Sequence, residues 1–119
     1  MLINDLIEKL ALSEKWHARQ IYVQGCHRIL KDHSIKSDQF SKELLPSIIT
    51  LSIDKTPNVR ISVAKLLSQE LLHSDYFTGS QNPHHDDLMN AETKLKADVD
   101  SDVRYFANLP TEKLEQVSV

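Results

Sequence analysis

The densest run of possible metal ligands in the 119-residue chain is His84-His85-Asp86-Asp87. Consecutive residues on a helix diverge by about 100°, so four in a row cannot converge on one ion unaided. Only His84 with Asp87 has helical pair spacing, and the run reads as the solvated start of a helix, where acids are favoured. Cys26 and His27 fail as a nucleophile–base pair for the same geometric reason, and Cys26 reads as a small core residue. The chain holds no phosphate-cradling glycine loop, Gly-x-Ser-x-Gly elbow, His-Glu-x-x-His or paired-cysteine motif. It therefore reads as a non-enzyme with no metal or other cofactor. The most regular charged pattern is Arg60 and Arg104, each preceded six residues earlier by an acid, Asp54 and Asp98. An arginine has enough donors to clamp a turn aspartate and nearby carbonyls at once. That structural role, holding successive units in register, is preferred here to a binding ladder.

Helices must position these residues. Phe40, Leu44, Ile48 and Leu51, with Leu45 and Ile49 beside them, keep the spacing of a helix face rather than the alternation of a strand. Asp54-Lys55-Thr56-Pro57 then supplies a turn, with Thr56 expected to cap the next helix through its hydroxyl and Pro57 to open it. That next helix carries Val59, Val63, Leu66, Leu67 and Leu71 on one side and Ile61, Ala64 and Leu72 on another, so it needs neighbours on more than one flank. Upstream, residues 2–12 and about 15–31 read as a helix pair. Gly25 in the second of these suggests close approach of another helix. Ser37 or Asp38 is the expected cap of the helix carrying Phe40 and Pro46. Downstream, His73 to Asn82 is the longest irregular stretch, with Tyr76 and Phe77 expected to staple it to the core. Asn82-Pro83 is read as a cap and first turn, and a short helix follows Asp98–Arg104. Residues 110–119 read as a frayed or disordered tail.

Composition sets the outer bounds. An apolar fraction of 40% and a charged fraction of 26% are ordinary for a soluble domain, and only two glycines occur, which suits long helices with short turns. No apolar run reaches the ~18–20 residues of a membrane span, and Asp5 and Glu8 stand where a signal peptide needs an apolar centre. A lone cysteine allows no internal disulfide, in keeping with a cytoplasmic, and also nuclear, location. A net charge of −3 argues against a broad nucleic-acid surface, leaving only a local patch of Lys15, His17, Arg19 and Arg28 for that reading.

Arg19, Arg60 and Arg104 stand 41 and 44 residues apart, inside the ~40–47 of two-helix repeats. Leu10, Leu51 and Leu95 fall in step with them, as do Asp54 and Asp98, and Val59 and Val103. The first unit departs, with Ser13 at the aspartate position and Ala18 at the valine. Leu-Leu-Pro46, the following apolar cluster, Asp54 and Pro57-Asn-Val-Arg60 resemble the HEAT repeat, whose first helix is often kinked by proline. The resemblance implies an all-α fold, an α-solenoid of about three helix pairs over residues 1–109. The pairs span about 2–31, 38–73 and 83–109, each burying its face against the next.

A more specific resemblance rests on Trp16-His-Ala-Arg-Gln20, Gln39-Phe-Ser-Lys-Glu-Leu-Leu-Pro-Ser47, Pro57-Asn-Val-Arg60, Tyr76-Phe77 and Asn82-Pro-His84. Together these are similar to the C-terminal repeats of the protein phosphatase 4 regulatory subunit 1 family, related to the scaffold subunit of protein phosphatase 2A. The similarity covers about residues 15–108. It implies a non-catalytic regulatory or scaffold module that binds a serine/threonine phosphatase catalytic subunit, as the tail of a longer solenoid or as a short relative of it. By the same resemblance the turns within repeats face that subunit: Glu14, Lys15, Trp16 and His17 in the first, Lys55 and Asn58 in the second, Asp100 and Asp102 in the third. Trp16 is read either as the anchor among them or as a cover for the end of the first helix pair. A generic adaptor in another complex is the alternative class.

Overall fold

The computed structural model describes residue 5 and residues 7–109, and among these every regular element is helical. Ile7–Ala11 forms one π-helical turn, closed by the Leu12 N–H donating to Ile7 O at 3.0 Å. Seven α-helices follow: α1 Trp16–Lys31, α2 Ser37–Glu43, α3 Leu45–Leu51, α4 Pro57–Gln69, α5 Asp75–Thr78, α6 His85–Lys96 and α7 Ser101–Ala107. A 3₁₀ turn, Leu71–His73, separates α4 from α5. The expected helix over 2–12 is thus described only in part, and the tail from 110 lies outside the described residues.

The single helix expected around Pro46 is two. At Leu44 the backbone leaves helical geometry (φ −114°, ψ −34°), because Pro46 offers no N–H and its ring crowds the carbonyl one turn back. Leu44 N–H to Phe40 O and Ile48 N–H to Leu44 O keep the segments joined, so the chain bends without separating. The bend lets Phe40, Leu44, Leu45, Ile48 and Leu51 all enter one core.

α4 is the centre of that core. It packs against α1 on one side and α7 on the other. Val59, Val63, Ala64, Leu66 and Leu67 are buried, as its two-sided apolar pattern requires. Leu66→Ala is therefore expected to cost roughly 2–5 kcal/mol, since atoms are removed from a site packed on all sides. Urea unfolding followed by circular dichroism checks this, and an unchanged midpoint would mean that Leu66 is not core.

Several local expectations are corrected. Gly25 is exposed, and a Cβ there would meet nothing within 4 Å among the described residues, so no described helix approaches it closely. Thr56 does precede α4, but its hydroxyl turns away and accepts from Arg19 Nη2 at 3.5 Å instead of capping the helix. Lys36, not Ser37 or Asp38, holds the cap position of α2, and Asp38 Oδ1 accepts the Gln39 N–H at 3.0 Å. Asn82 is no cap either, since α6 opens after His84. It is a buried latch: its Oδ1 accepts from the Ser41 hydroxyl at 2.6 Å and from the His84 N–H at 3.0 Å, while its Nδ2 donates to Phe77 O at 3.2 Å. This amide fastens the loop after α5 to α2. Phe77 staples the same loop as expected, fully buried edge-on to Phe40 with ring centroids 5.7 Å apart.

Candidate functional site on the turn edge

Three turns precede α1, α4 and α7, and each is built alike. A side-chain oxygen accepts the backbone N–H two residues on: Ser13 Oγ from Lys15 at 3.1 Å, Asp54 Oδ1 from Thr56 at 2.9 Å, Asp98 Oδ1 from Asp100 at 2.9 Å. Short polar side chains do this by mimicking a backbone turn. The carbonyl of the same residue is held by the arginine six positions later. Arg19 Nη1 donates to Ser13 O at 2.8 Å, Arg60 Nη1 to Asp54 O at 2.6 Å and Arg104 Nη1 to Asp98 O at 2.7 Å. Ser13 thus performs the turn's hydrogen bond without bringing a carboxylate.

The carboxylate each arginine holds belongs to the next turn, not to its own. Arg19 reaches Asp54 through Nε (2.6 Å) and Nη2 (3.1 Å). Arg60 reaches Asp98 through Nε (2.9 Å) and Nη2 (3.1 Å). Such two-pronged contacts fix geometry as well as charge. The pairs are largely screened from water, with side-chain exposures of 9% and 7% for the first and 12% and 11% for the second. Burial pushes both carboxyls up. The arginine hydrogen bond, the turn N–H and the charges of the two flanking arginines outweigh it, so Asp54 and Asp98 sit below the ordinary carboxylate range. Own carbonyl, arginine and next aspartate make a continuous chain across the three turns. Arg60 and Arg104 were expected each to clamp a turn aspartate and nearby carbonyls; Arg60 holds its own turn's carbonyl and the next turn's aspartate, Arg19 does the same, and Arg104 holds only the carbonyl. Arg104 ends the ion-pair chain, exposed, with no carboxylate on its guanidinium among the described residues.

The chain of ion pairs sets the turns in a row and leaves the other turn residues outward. Glu14, Lys15, His17, Lys55, Asn58 and Asp102 are exposed, and Trp16 and Asp100 are half-buried. Trp16 lies against the core and stacks on His17, ring centroids 3.7 Å apart. Asp100 is committed to the helix it precedes, its Oδ1 accepting from the Asp102 and Val103 N–H groups at 2.8 and 3.2 Å. The row therefore runs from an aromatic, mixed-charge end at Glu14–His17 to an acidic end at Asp100 and Asp102.

Other candidate chemistry does not assemble. Among the described residues no three metal-binding side chains converge, and His85 meets Asp86 (3.1 Å) where His84 with Asp87 had the expected spacing. Cys26 is buried, its thiol pushed up to about 12 by desolvation, which keeps it protonated and unreactive. Among the described residues no helix is long and apolar enough to cross a membrane.

Over 108 residues, 91% of the chain, the sequence is 41% identical to human (Homo sapiens) serine/threonine-protein phosphatase 4 regulatory subunit 1. The mouse (Mus musculus) and rat (Rattus norvegicus) proteins of that name are 40% identical over the same share. Over that stretch the chain is similar in sequence to the phosphatase 4 regulatory subunit 1 proteins. It spans 11% of the length of these relatives. No family model and no solved structure matches it. The similarity covers nearly the whole chain and so includes the turn row and the arginine–aspartate chain beneath it. What sequence reading missed is the inter-turn pairing. The signal was present in Arg19, whose own turn has no aspartate to clamp.

Proposed function

We propose that the chain is a non-catalytic regulatory module, built as three HEAT-type helix pairs, that offers its turn row to a serine/threonine phosphatase catalytic subunit. Its relatives bear the name of phosphatase 4 regulatory subunits, which supports that partner class. The observation that carries the reading is the ion-pair chain under the turns, Arg19–Asp54 and Arg60–Asp98. It presents Trp16, Lys55, Asn58 and Asp102 on a fixed scaffold while the apolar helix faces stay committed to the core. Contact at the exposed Lys55, Asn58 and Asp102 leaves the buried helix faces undisturbed. The reading places the protein at work in the cytoplasm or nucleus, with further helix pairs in a longer chain.

In this reading Trp16 is the anchor, and Lys15 and Lys55 act on encounter and orientation more than on affinity. Binding of the catalytic subunits of phosphatases 4, 2A and 6 tests it. Trp16→Ala is expected to weaken the complex roughly thirty-fold, the effect of losing one hot-spot side chain. Lys55→Glu is expected to act chiefly on the association rate. No binding by the unaltered chain, alone or joined to the preceding part of a longer relative, rejects the phosphatase reading. Unchanged binding by a variant carrying both Trp16→Ala and Lys55→Glu, with helicity intact, rejects only this placement of the site.

A further inference from the structure

Between α1 and α4 runs an open groove of about 290 Å³, lined by Gln20, Gln24, Asn58, Ile61 and Lys65 among others. We propose that it binds an extended peptide segment of a partner protein by its backbone, with a carboxylate side chain of that segment at Lys65. The groove lies at the lower edge of the ~300–1,000 Å³ of small-molecule sites and is mostly polar and open, which suits a chain passing along it more than an enclosed ligand.

Three side-chain amides face this groove, and among the described residues none of them makes a side-chain hydrogen bond. Each amide carries donors and an acceptor, the complement of a peptide group. Gln20 and Gln24 are one turn apart on α1, a rise of about 6 Å. An extended chain repeats its like-facing peptide groups every two residues, about 6.6–6.8 Å, so one strand running along α1 meets both glutamines in step. The half-buried Ile61 gives an apolar floor for an intervening side chain, while the Ser62 hydroxyl is already spent on Asn58 O at 3.3 Å.

Charge chooses the side chain. The Lys65 ammonium rests 4.6 Å above the Phe106 ring, which fixes its position and leaves its N–H donors for an oxygen acceptor. Just beyond Lys65, at the same end of the groove, His27 lies 3.6 Å from Glu70, an acid that repels a second carboxylate there. One acidic residue, near Lys65, is therefore preferred over several. Glu70 and the net charge of −3 also disfavour a nucleic-acid backbone. Asn58 belongs to both the groove and the turn row, but Gln24 and Lys65 lie outside the row, so variants at those two test this site apart from phosphatase binding.

The test is a titration of ¹⁵N-labelled protein with pools of blocked octapeptides of fixed central residue, reading the side-chain amide resonances of Gln20, Gln24 and Asn58. Saturable shifts are expected with the central-glutamate pool, at least three-fold weaker response with central glutamine and none with central lysine. Lys65→Met is expected to level the glutamate and glutamine pools, and Gln24→Ala to weaken both several-fold. No saturable shift of those amides with any pool overturns the proposal. So does an equal response to the lysine pool, a glutamate preference that survives Lys65→Met, or tighter binding of a (dT)8 oligonucleotide at the same amides.

Discussion

Replacing Arg60 with leucine is expected to lower the stability of the fold by about 3 kcal/mol or more, the effect of stranding a largely buried charge. The Asp98 carboxylate would keep only the Asp100 N–H, and Asp54 O would lose its arginine donor. Arg104→Leu, at an exposed position, is expected to change stability by no more than about 0.5 kcal/mol. Adding Asp98→Asn to Arg60→Leu removes the stranded charge and is expected to recover part of the loss, which a double-mutant cycle in urea reads directly. The pH dependence follows from the depressed carboxyls. Their stabilisation is complete above the unfolded-state value near 4 and disappears as pH falls through the lower folded-state value. The gap between wild type and Arg60→Leu should therefore hold from pH 7 to about 5 and narrow below about 4. A gap that persists undiminished at pH 2 would mean that Arg60 acts through packing alone.

Phe77→Ala is expected to cost about 3–5 kcal/mol, a large effect for a residue in the longest connection of the fold. The ring is fully buried, meeting Phe40 at 5.7 Å and Tyr76 at 5.2 Å, both nearly perpendicular. Such aromatic pairs add about 0.5–1.5 kcal/mol beyond the area they bury. Without the ring, the four-residue α5 has little else to bury. Denaturant unfolding with near-ultraviolet circular dichroism checks this. A loss under 1 kcal/mol would show that the loop is dispensable, with Asn82 alone holding it.

The helix faces were legible because apolar residues recur at helical spacing along 40–51 and 57–72, and α4 is buried on the flanks its pattern demanded. The loop staple at Phe77 was legible for a similar reason: an aromatic in a polar stretch has only the core to cover it. Caps were misread because a hydroxyl or amide at a helix start has competing partners. Thr56 turns to Arg19, and Asn82 to Ser41 across 41 residues. Gly25 was misread because a missing side chain shows where a helix could approach, not that one does. In the turn row the arginine and aspartate positions were visible from their spacing. Their pairing was not, because spacing along the chain does not say which of two turns an arginine six residues past its own turn residue will bridge.

Among the described residues the ion-pair chain runs along one rim only, at the turns before α1, α4 and α7. At the far ends of α1 and α4 the recorded polar tie is the looser one between His27 and Glu70, at 3.6 Å, and burial holds the imidazole toward its neutral form despite the acid beside it. α1, α4 and α7 are thus riveted to one another at the turns and joined further along their lengths chiefly by packing, which resists sliding less sharply than directional bonds do. Any bending of the stack should pivot on the riveted rim, like the sticks of a hand fan, with the opposite rim opening and closing. A partner gripping the pivot would feel a surface of constant spacing, and one lying across the splaying rim would feel a surface whose pitch changes with load.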